Sequence, residues 1–295
     1  MNPSQIQNSI QAGKIAKETV EYARTIVKKD VLLLEIAEKI EKKIVELGGK
    51  PAFPTNLSIN DIAAHYTPAH DDTNKANGLL KVDLGVHIEG FIADTAFSVD
   101  LENSEENKKL IKASEDALSN VLKSINKNIT LSQIGKTIQE TIEKEKYSPI
   151  TNLSGHSMNE YDLHSGITIP NLDNKNDSKL PEGLYAIEPF ATAGNGKVYD
   201  GKLSGIYFLV KRKPIRSQTA REVLDFIEDE YATMPFCSRW LVNKFGTKSL
   251  LSLKQLEQEG IIHQFEQLIE TSHKPVSQSE HTVLITKDKI IVTTN

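Results

Sequence analysis

Between Lys81 and Val99 the chain alternates apolar and polar residues as a pair of strands does, and Glu89-Gly90 interrupts the pattern as a two-residue turn. Antiparallel pairing about that turn joins residues whose numbers sum to about 179, so Asp83 faces Ala96 and Asp94 faces Gly85. Alternation then puts Asp83, Gly85 and His87 on one face with Ile92, Asp94 and Ala96. Val82, Leu84, Val86 and Ile88 share the other with Phe91, Ala93 and Phe97. The second face must be buried. The first carries two carboxylates as diagonal neighbours with small residues between them. Either it is a solvated outer surface, or it is buried and a divalent cation relieves the repulsion and the desolvation of two charges. The hairpin alone leaves both readings open.

The rest of the chain alternates helical and strand-like stretches. Two amphipathic helices open it. The second runs from about Val31 to Leu47, with Asp30 placed as an N-cap and Gly48-Gly49 as the stop. Helices follow the hairpin: Ser104 to about Ile125 bears Leu110, Ala117, Leu118 and Val121 on one face, and Thr130 with Gln133 forms a capping box. From Pro149 to Lys213 short strands alternate with glycine-containing loops. Pro214 to Pro275 reads as helical again, and Glu280 to Val292 as strand, turn at Lys287-Asp288, and strand. The organisation expected is an α+β catalytic domain of residues 1–213 and 276–295, interrupted by a helical, winged-helix-like subdomain at 214–275.

Composition removes several classes of function. A net charge of -5 with scattered basic residues argues against nucleic acid as the main partner. Apolar runs as short as Val31–Leu34 and Ile206–Val210 cannot cross a bilayer, and the first thirty residues lack the pattern of a secretory signal. Cys237 is the only cysteine, so no intrachain disulfide forms. The expected location is the cytoplasm.

More candidate ligands lie downstream. Gly155-His156-Ser157 and Leu163-His164-Ser165 each place a histidine beside small residues, Ala186-Ile187-Glu188-Pro189-Phe190 puts a carboxylate in an apolar strand, and Glu280 interrupts the final strand. Singly, each reads as an ordinary hydrogen-bonded or edge residue. Jointly, four carboxylates and one imidazole make an oxygen-rich donor set suited to manganese, iron or cobalt, arranged as in two-metal hydrolytic sites.

These residues carry a resemblance that extends over essentially the whole chain. Lys50-Pro-Ala-Phe-Pro-Thr55, Ala63-Ala-His-Tyr-Thr-Pro68, Lys81-Val-Asp-Leu-Gly85 with Ile92-Ala-Asp-Thr-Ala96, Gly155-His-Ser157, Ile187-Glu-Pro-Phe190 and Glu280-His-Thr282 together resemble the type 2 methionine aminopeptidases, in their short archaeal form. The stretch Phe236-Cys-Ser-Arg-Trp-Leu241 resembles the helical insertion that distinguishes type 2 members. The resemblance implies a pita-bread fold with a curved antiparallel sheet around two divalent ions, whether cobalt, manganese, iron or zinc. It implies metal ligation by Asp83, Asp94, His156, Glu188 and Glu280, proton transfer by Glu188, and peptide binding by His65 and His164, with Phe53 and Leu163 walling a methionine pocket. It further implies a monomer working near the ribosome on the amino termini of nascent proteins, removing methionine before a small residue by way of metal-activated water. Two other readings compete. Proline-specific peptidases share the fold but carry a large amino-terminal domain for which this chain has no room. Binding modules on the same scaffold have lost their ligands. Asn56, where glycine is common in the family, and Phe265, where tyrosine is frequent, depart from the pattern. His70, Asp71 and Asp72 read as a solvated turn.

Overall fold

A computed structural model describes all residues, 1–295. Helices α1 (Pro3–Ile26) and α2 (Leu33–Glu46) are followed by strands β1 (Lys50–Ile59), β2 (Ile62–Ala64), β3 (Leu79–Ile88) and β4 (Phe91–Asp100). Next come α3 (Glu105–Ser124), α4 (Leu131–Lys144) and strands β5 (Ser148–Pro149), β6 (Ser154–Met158), β7 (Thr168–Pro170), β8 (Gly183–Ile187), β9 (Phe190–Thr192) and β10 (Val198–Leu209). The chain closes with α5 (Gln218–Tyr231), β11 (Phe236–Cys237), α6 (Ser238–Phe245), α7 (Ser249–Gln258), β12 (Ile262–Glu270), β13 (Val276–Gln278), β14 (His281–Ile285) and β15 (Ile290–Val292).

The hairpin has the expected register: Asp83 pairs with Ala96 and Gly85 with Asp94 across β3 and β4. Glu89 and Gly90 both take positive φ, 48° and 81°, as a two-residue turn of this hand requires. Its apolar face is buried. Val82, Leu84, Val86, Ala93 and Phe97 pack with Ile36, Ile40 and Ile44 of α2 in one core cluster, each such side chain contributing about 1.5–3 kcal/mol. A second cluster packs α3 and α4 against β8 and β14 through Ala117, Val121, Ile138, Tyr185 and Val283.

Two three-stranded sheets, β1-β3-β4 and β13-β9-β5, and a five-stranded sheet, β15-β14-β8-β6-β7, curl around the centre of the molecule. The seam between the halves is built of side-chain hydroxyls bonded to backbone. The Thr282 hydroxyl accepts from the Asp94 N–H at 2.7 Å and donates to the Asp94 carbonyl at 2.8 Å. Thr95 donates to the Glu280 carbonyl at 2.9 Å, and Ser98 both accepts from Gln278 N–H and donates to its carbonyl. Main-chain pairing of β4 across the seam is confined to a single bridge, the Glu280 N–H donating to the Ala96 carbonyl at 3.0 Å, and short hydroxyls satisfy the groups it leaves.

Two local expectations change. Asp30 is not an N-cap: it has φ 67°, and α2 starts after Leu32 without a side-chain cap. The loop at 74–76 serves instead, Leu33 N–H donating to the Asn74 carbonyl and Ala76 N–H to the Val31 carbonyl. Between Pro214 and Pro275 the helical pattern stops at Gln258, and β12 pairs with β10 on one side and β2 on the other. The three helices before it close over a separate apolar cluster that includes Val223, Leu224, Ile227, Leu241, Leu253 and Leu256.

Candidate metal centre and substrate cavity

Five separate segments bring five donors to one cavity of about 380 Å³. Asp83 stands on β3, Asp94 on β4 and His156 on β6. Glu188 follows β8 directly, and Glu280 lies between β13 and β14, bridged to Ala96. His156 Nε2 lies 3.6 Å from Asp94 Oδ2 and 3.8 Å from Glu188 Oε1. Asp94, His156 and Glu280 each present a ligand atom within 4.8 Å of the others. The nine site residues that the family resemblance implies all line this cavity: Phe53, His65, Asp83, Asp94, His156, Leu163, His164, Glu188 and Glu280.

The electrostatics are those of a site waiting for positive charge. Asp94 and Glu280 are only 3% and 1% exposed, and no protein cation reaches them. Burial, then the charge of Asp83, holds Asp94 well above the usual carboxylate range. Burial followed by Asp94 does the same for Glu188 and Glu280, while burial pushes Asp83 up to about 7. Asp83 Oδ1, Asp94 Oδ1 and Glu280 Oε1 are buried without any hydrogen-bond partner. Orphaned anionic oxygens in such number are costly unless a cation satisfies them. The imidazole of His156 is pushed down to about 3, by burial and then by His164, so it is neutral with a lone pair to offer. Four carboxylates and one neutral imidazole fit divalent ions.

Gln278 is a member of this cluster that the sequence did not mark. Its Nε2 lies 3.3 Å from Asp83 Oδ2, 3.4 Å from Glu188 Oε2 and 3.3 Å from Glu280 Oε2. Its signal was available, since a residue two before Glu280 in an extended segment projects to the same side.

His65 has φ 65°, an uncommon conformation for a non-glycine residue, and its Nδ1–H donates to the Glu266 carbonyl at 3.1 Å. Burial pushes its pKa down to about 4, so the ring is neutral and Nε2 is the free acceptor. Phe265 packs on it, ring centres 5.4 Å apart. His164 meets His156 edge to face at 4.4 Å, and burial lowers its pKa too. Phe53 fills the space that a side chain at Gly85 would claim: a Cβ there would stand 2.3 Å from the Phe53 ring. Other histidines stay outside. His87 Nδ1 accepts from the Gly90 N–H, His281 pairs with Thr294, and His70 and His273 meet Asp71 and Asp61. Asp72 accepts from the Tyr66 hydroxyl and the Asn74 N–H.

A curved sheet that buries four carboxylates and an imidazole at one open cavity defines a metal-dependent hydrolase of the pita-bread class. Residues 7–287 match metallopeptidase family M24. A methionine aminopeptidase of Methanocaldococcus jannaschii is 47% identical over 97% of this chain and 97% of its own length. The chain therefore belongs to family M24, among its methionine aminopeptidases, and is a metallo-aminopeptidase. Solved structures agree on the fold. A thermophilic Arx1 superposes with a TM-score of 0.84 at 15% identity, covering 99% of this chain and 91% of that one. Methionine aminopeptidase from Thermotoga maritima gives 0.71 at 20%, covering 100% and 98%.

Proposed function

We propose that this chain removes the amino-terminal methionine from polypeptides whose second residue is small. The observation that carries the reading is the meeting, in one cavity, of the donor set with apolar lining residues that include Phe53, Leu163, Ile206 and Phe265. Asp83, Asp94, His156, Glu188 and Glu280 hold two divalent ions, which when bound supply an acidified water and a polarised scissile carbonyl. Glu188 is the proton carrier. It lines the cavity beside the other donors, where it can accept a proton and pass it to the departing amine. His65, neutral with Nε2 free, and His164 bind the peptide backbone beside the bond to be cut. Phe53 and Leu163 enclose the thioether chain. An apolar pocket separates methionine from polar residues by only about 1–3 kcal/mol, so crowding beyond it sets the limit at the second position.

The helices of segment 214–275, with their own apolar cluster, are the insertion of a type 2 enzyme. The segment contributes Phe265 and Pro235 to the cavity wall. In this reading nascent chains are the substrate pool and the protein works as a monomer in the cytoplasm close to ribosomes; no helix is long and apolar enough to cross a membrane. The test is release of free methionine from Met-Ala-Ser and Met-Pro peptides by metal-stripped protein to which manganese, iron, cobalt or zinc is returned singly, with Asp94→Ala as control. Release that needs both metal and Asp94 supports the reading. No release with any metal favours a binding module on the same scaffold.

A further inference from the structure

Lys81 is the one buried lysine of the chain, 1% exposed, and has no part in the chemistry above. Taking an amine out of water is costly. Both hydrogen bonds it makes go to main-chain carbonyls, Nζ donating to Asn60 and to Val276 at 2.9 Å each. Asn60 lies in the turn between β1 and β2, and its carbonyl also accepts from the Val276 N–H at 3.0 Å. Three hydrogen bonds among Lys81, Asn60 and Val276 thus close a ring that fastens the start of β13 to the first half of the molecule.

This ring continues the seam. Alternate residues of an extended segment turn their main-chain groups to the same edge, and along this edge Val276, Gln278 and Glu280 are held in succession. Glu280 is met by Ala96 and Thr95, and Gln278 by the Ser98 hydroxyl. Ser98 and Lys81 are cross-strand partners in the hairpin, so two facing side chains grip carbonyls two residues apart. A hydroxyl reaches Gln278; Val276, one step further from the bridge at Ala96, is met by the four-carbon stem of lysine. Asp83 lies two residues beyond Lys81 on β3, and Gln278 two beyond Val276 on β13. Their side chains meet, with Nε2 3.3 Å from Oδ2. The Lys81–Val276 bond is therefore one end of a frame whose other end is the contact between Gln278 and Asp83.

We propose that Lys81 is a positioning residue of the metal centre: by holding the Val276 carbonyl it fixes β13 against β3 and keeps the Gln278 amide set among Asp83, Glu188 and Glu280. The inference rests on the metal-centre reading and deepens it, because replacing Lys81 changes none of the donor atoms.

The test is a double-mutant cycle read as manganese affinity by calorimetry on the full chain. Lys81→Met keeps the apolar stem and removes the N–H donors. It is expected to weaken manganese binding about 10-fold or more, within the range of groups that orient ligands, yet to add less than about twofold when Gln278 is already alanine. Equal fold-weakening in the two backgrounds overturns the proposal, since a general loss of order or a changed field at the ions acts whether or not Gln278 is present. Unchanged affinity in Lys81→Met overturns it as well. Thermal unfolding of the metal-free samples establishes that each variant is folded. If Lys81→Met is not, Lys81→Gln, whose amide nitrogen ends one bond short of the amine, takes its place in the cycle with the same expected pattern. Manganese binding by the unaltered chain is measured first: its absence refutes the metal-centre reading and the proposal with it, whereas binding with equal weakening in both backgrounds refutes the role of Lys81 alone.

Discussion

Arg239 and Glu41 meet as a closed fork, with Nη1 2.7 Å from Oε2 and Nη2 2.8 Å from Oε1. Arg239 is 1% exposed, and its Nε–H also donates to the Pro68 carbonyl at 3.0 Å. Glu41 accepts two further bonds, from the Trp240 indole at 2.8 Å and the Thr55 N–H at 3.2 Å. One carboxylate therefore ties α6 to α2, to the bulged part of β1, and through Arg239 to the loop that follows His65. Burial works against the charge on Arg239, and Glu41 offsets it so that the guanidinium stays protonated.

Breaking one side of this pair leaves a buried charge alone. Glu41→Ala should cost about 3–5 kcal/mol in urea unfolding, whereas Glu41→Leu combined with Arg239→Met should recover most of that. A single substitution costing under about 1 kcal/mol would show that water reaches the pair and that it does not hold the insertion in place.

Glu188→Gln keeps the shape of the side chain and removes its ability to carry a proton. Methionine release is expected to fall about 10²- to 10⁴-fold while the thermal unfolding profile stays cooperative. Full turnover in this variant would refute the proton-carrying role.

Asp83 controls a dependence on pH that can be isolated by difference. Burial raises its folded-state pKa to about 7 from an ordinary value of 3.8, so the folded metal-free protein keeps a proton that the unfolded chain has released. Its contribution to stability is full below about pH 3.8 and is lost as pH rises towards 7. Asp83→Asn lacks this term. The stability of metal-free Asp83→Asn relative to metal-free wild type should therefore climb as pH rises from about 4, by about 2–4 kcal/mol by pH 7. The histidines held below their usual pKa, such as His87, are common to both proteins and cancel, whereas Asp94, Glu188 and Glu280, which the charge of Asp83 also raises, are relieved in Asp83→Asn and add to the climb in the same direction. A difference independent of pH would mean that Asp83 ionises freely in the fold.

Gln278 bonds to three of the four carboxylates and should act on metal binding, since groups that orient ligands commonly change affinity about 10- to 100-fold. Gln278→Ala is expected to weaken manganese binding by that factor in calorimetry, with methionine release recovering at high metal. Unchanged affinity would reduce Gln278 to a packing residue.

Much of this was legible along the chain because the informative signals were local. The turn at Glu89-Gly90 and the alternation of β3 and β4 were enough to pair Asp83 with Ala96 and to separate core from site. Thr130 and Gln133 sit in the capping box that their spacing announced. The start of α2 was misread because its first N–H, that of Leu33, is met by a loop about forty residues away in sequence, which leaves no mark near Asp30. Strand β12 read as part of a helical stretch because its pairing partners, β2 and β10, lie far from it in sequence.

The sequence by itself determined which faces were apolar, where the hairpin turned and which residue types could bind a metal, since these follow from side-chain chemistry and short-range periodicity. Tertiary structure decided the rest. It gathered Asp83, Asp94, His156, Glu188 and Glu280 from five separate segments, set Gln278 against three carboxylates, and shifted β1 by one residue so that Asn56 faces Asp83. Those outcomes depend on how distant strands meet, and in the burial they create an ordinary carboxylate becomes one that calls for a cation.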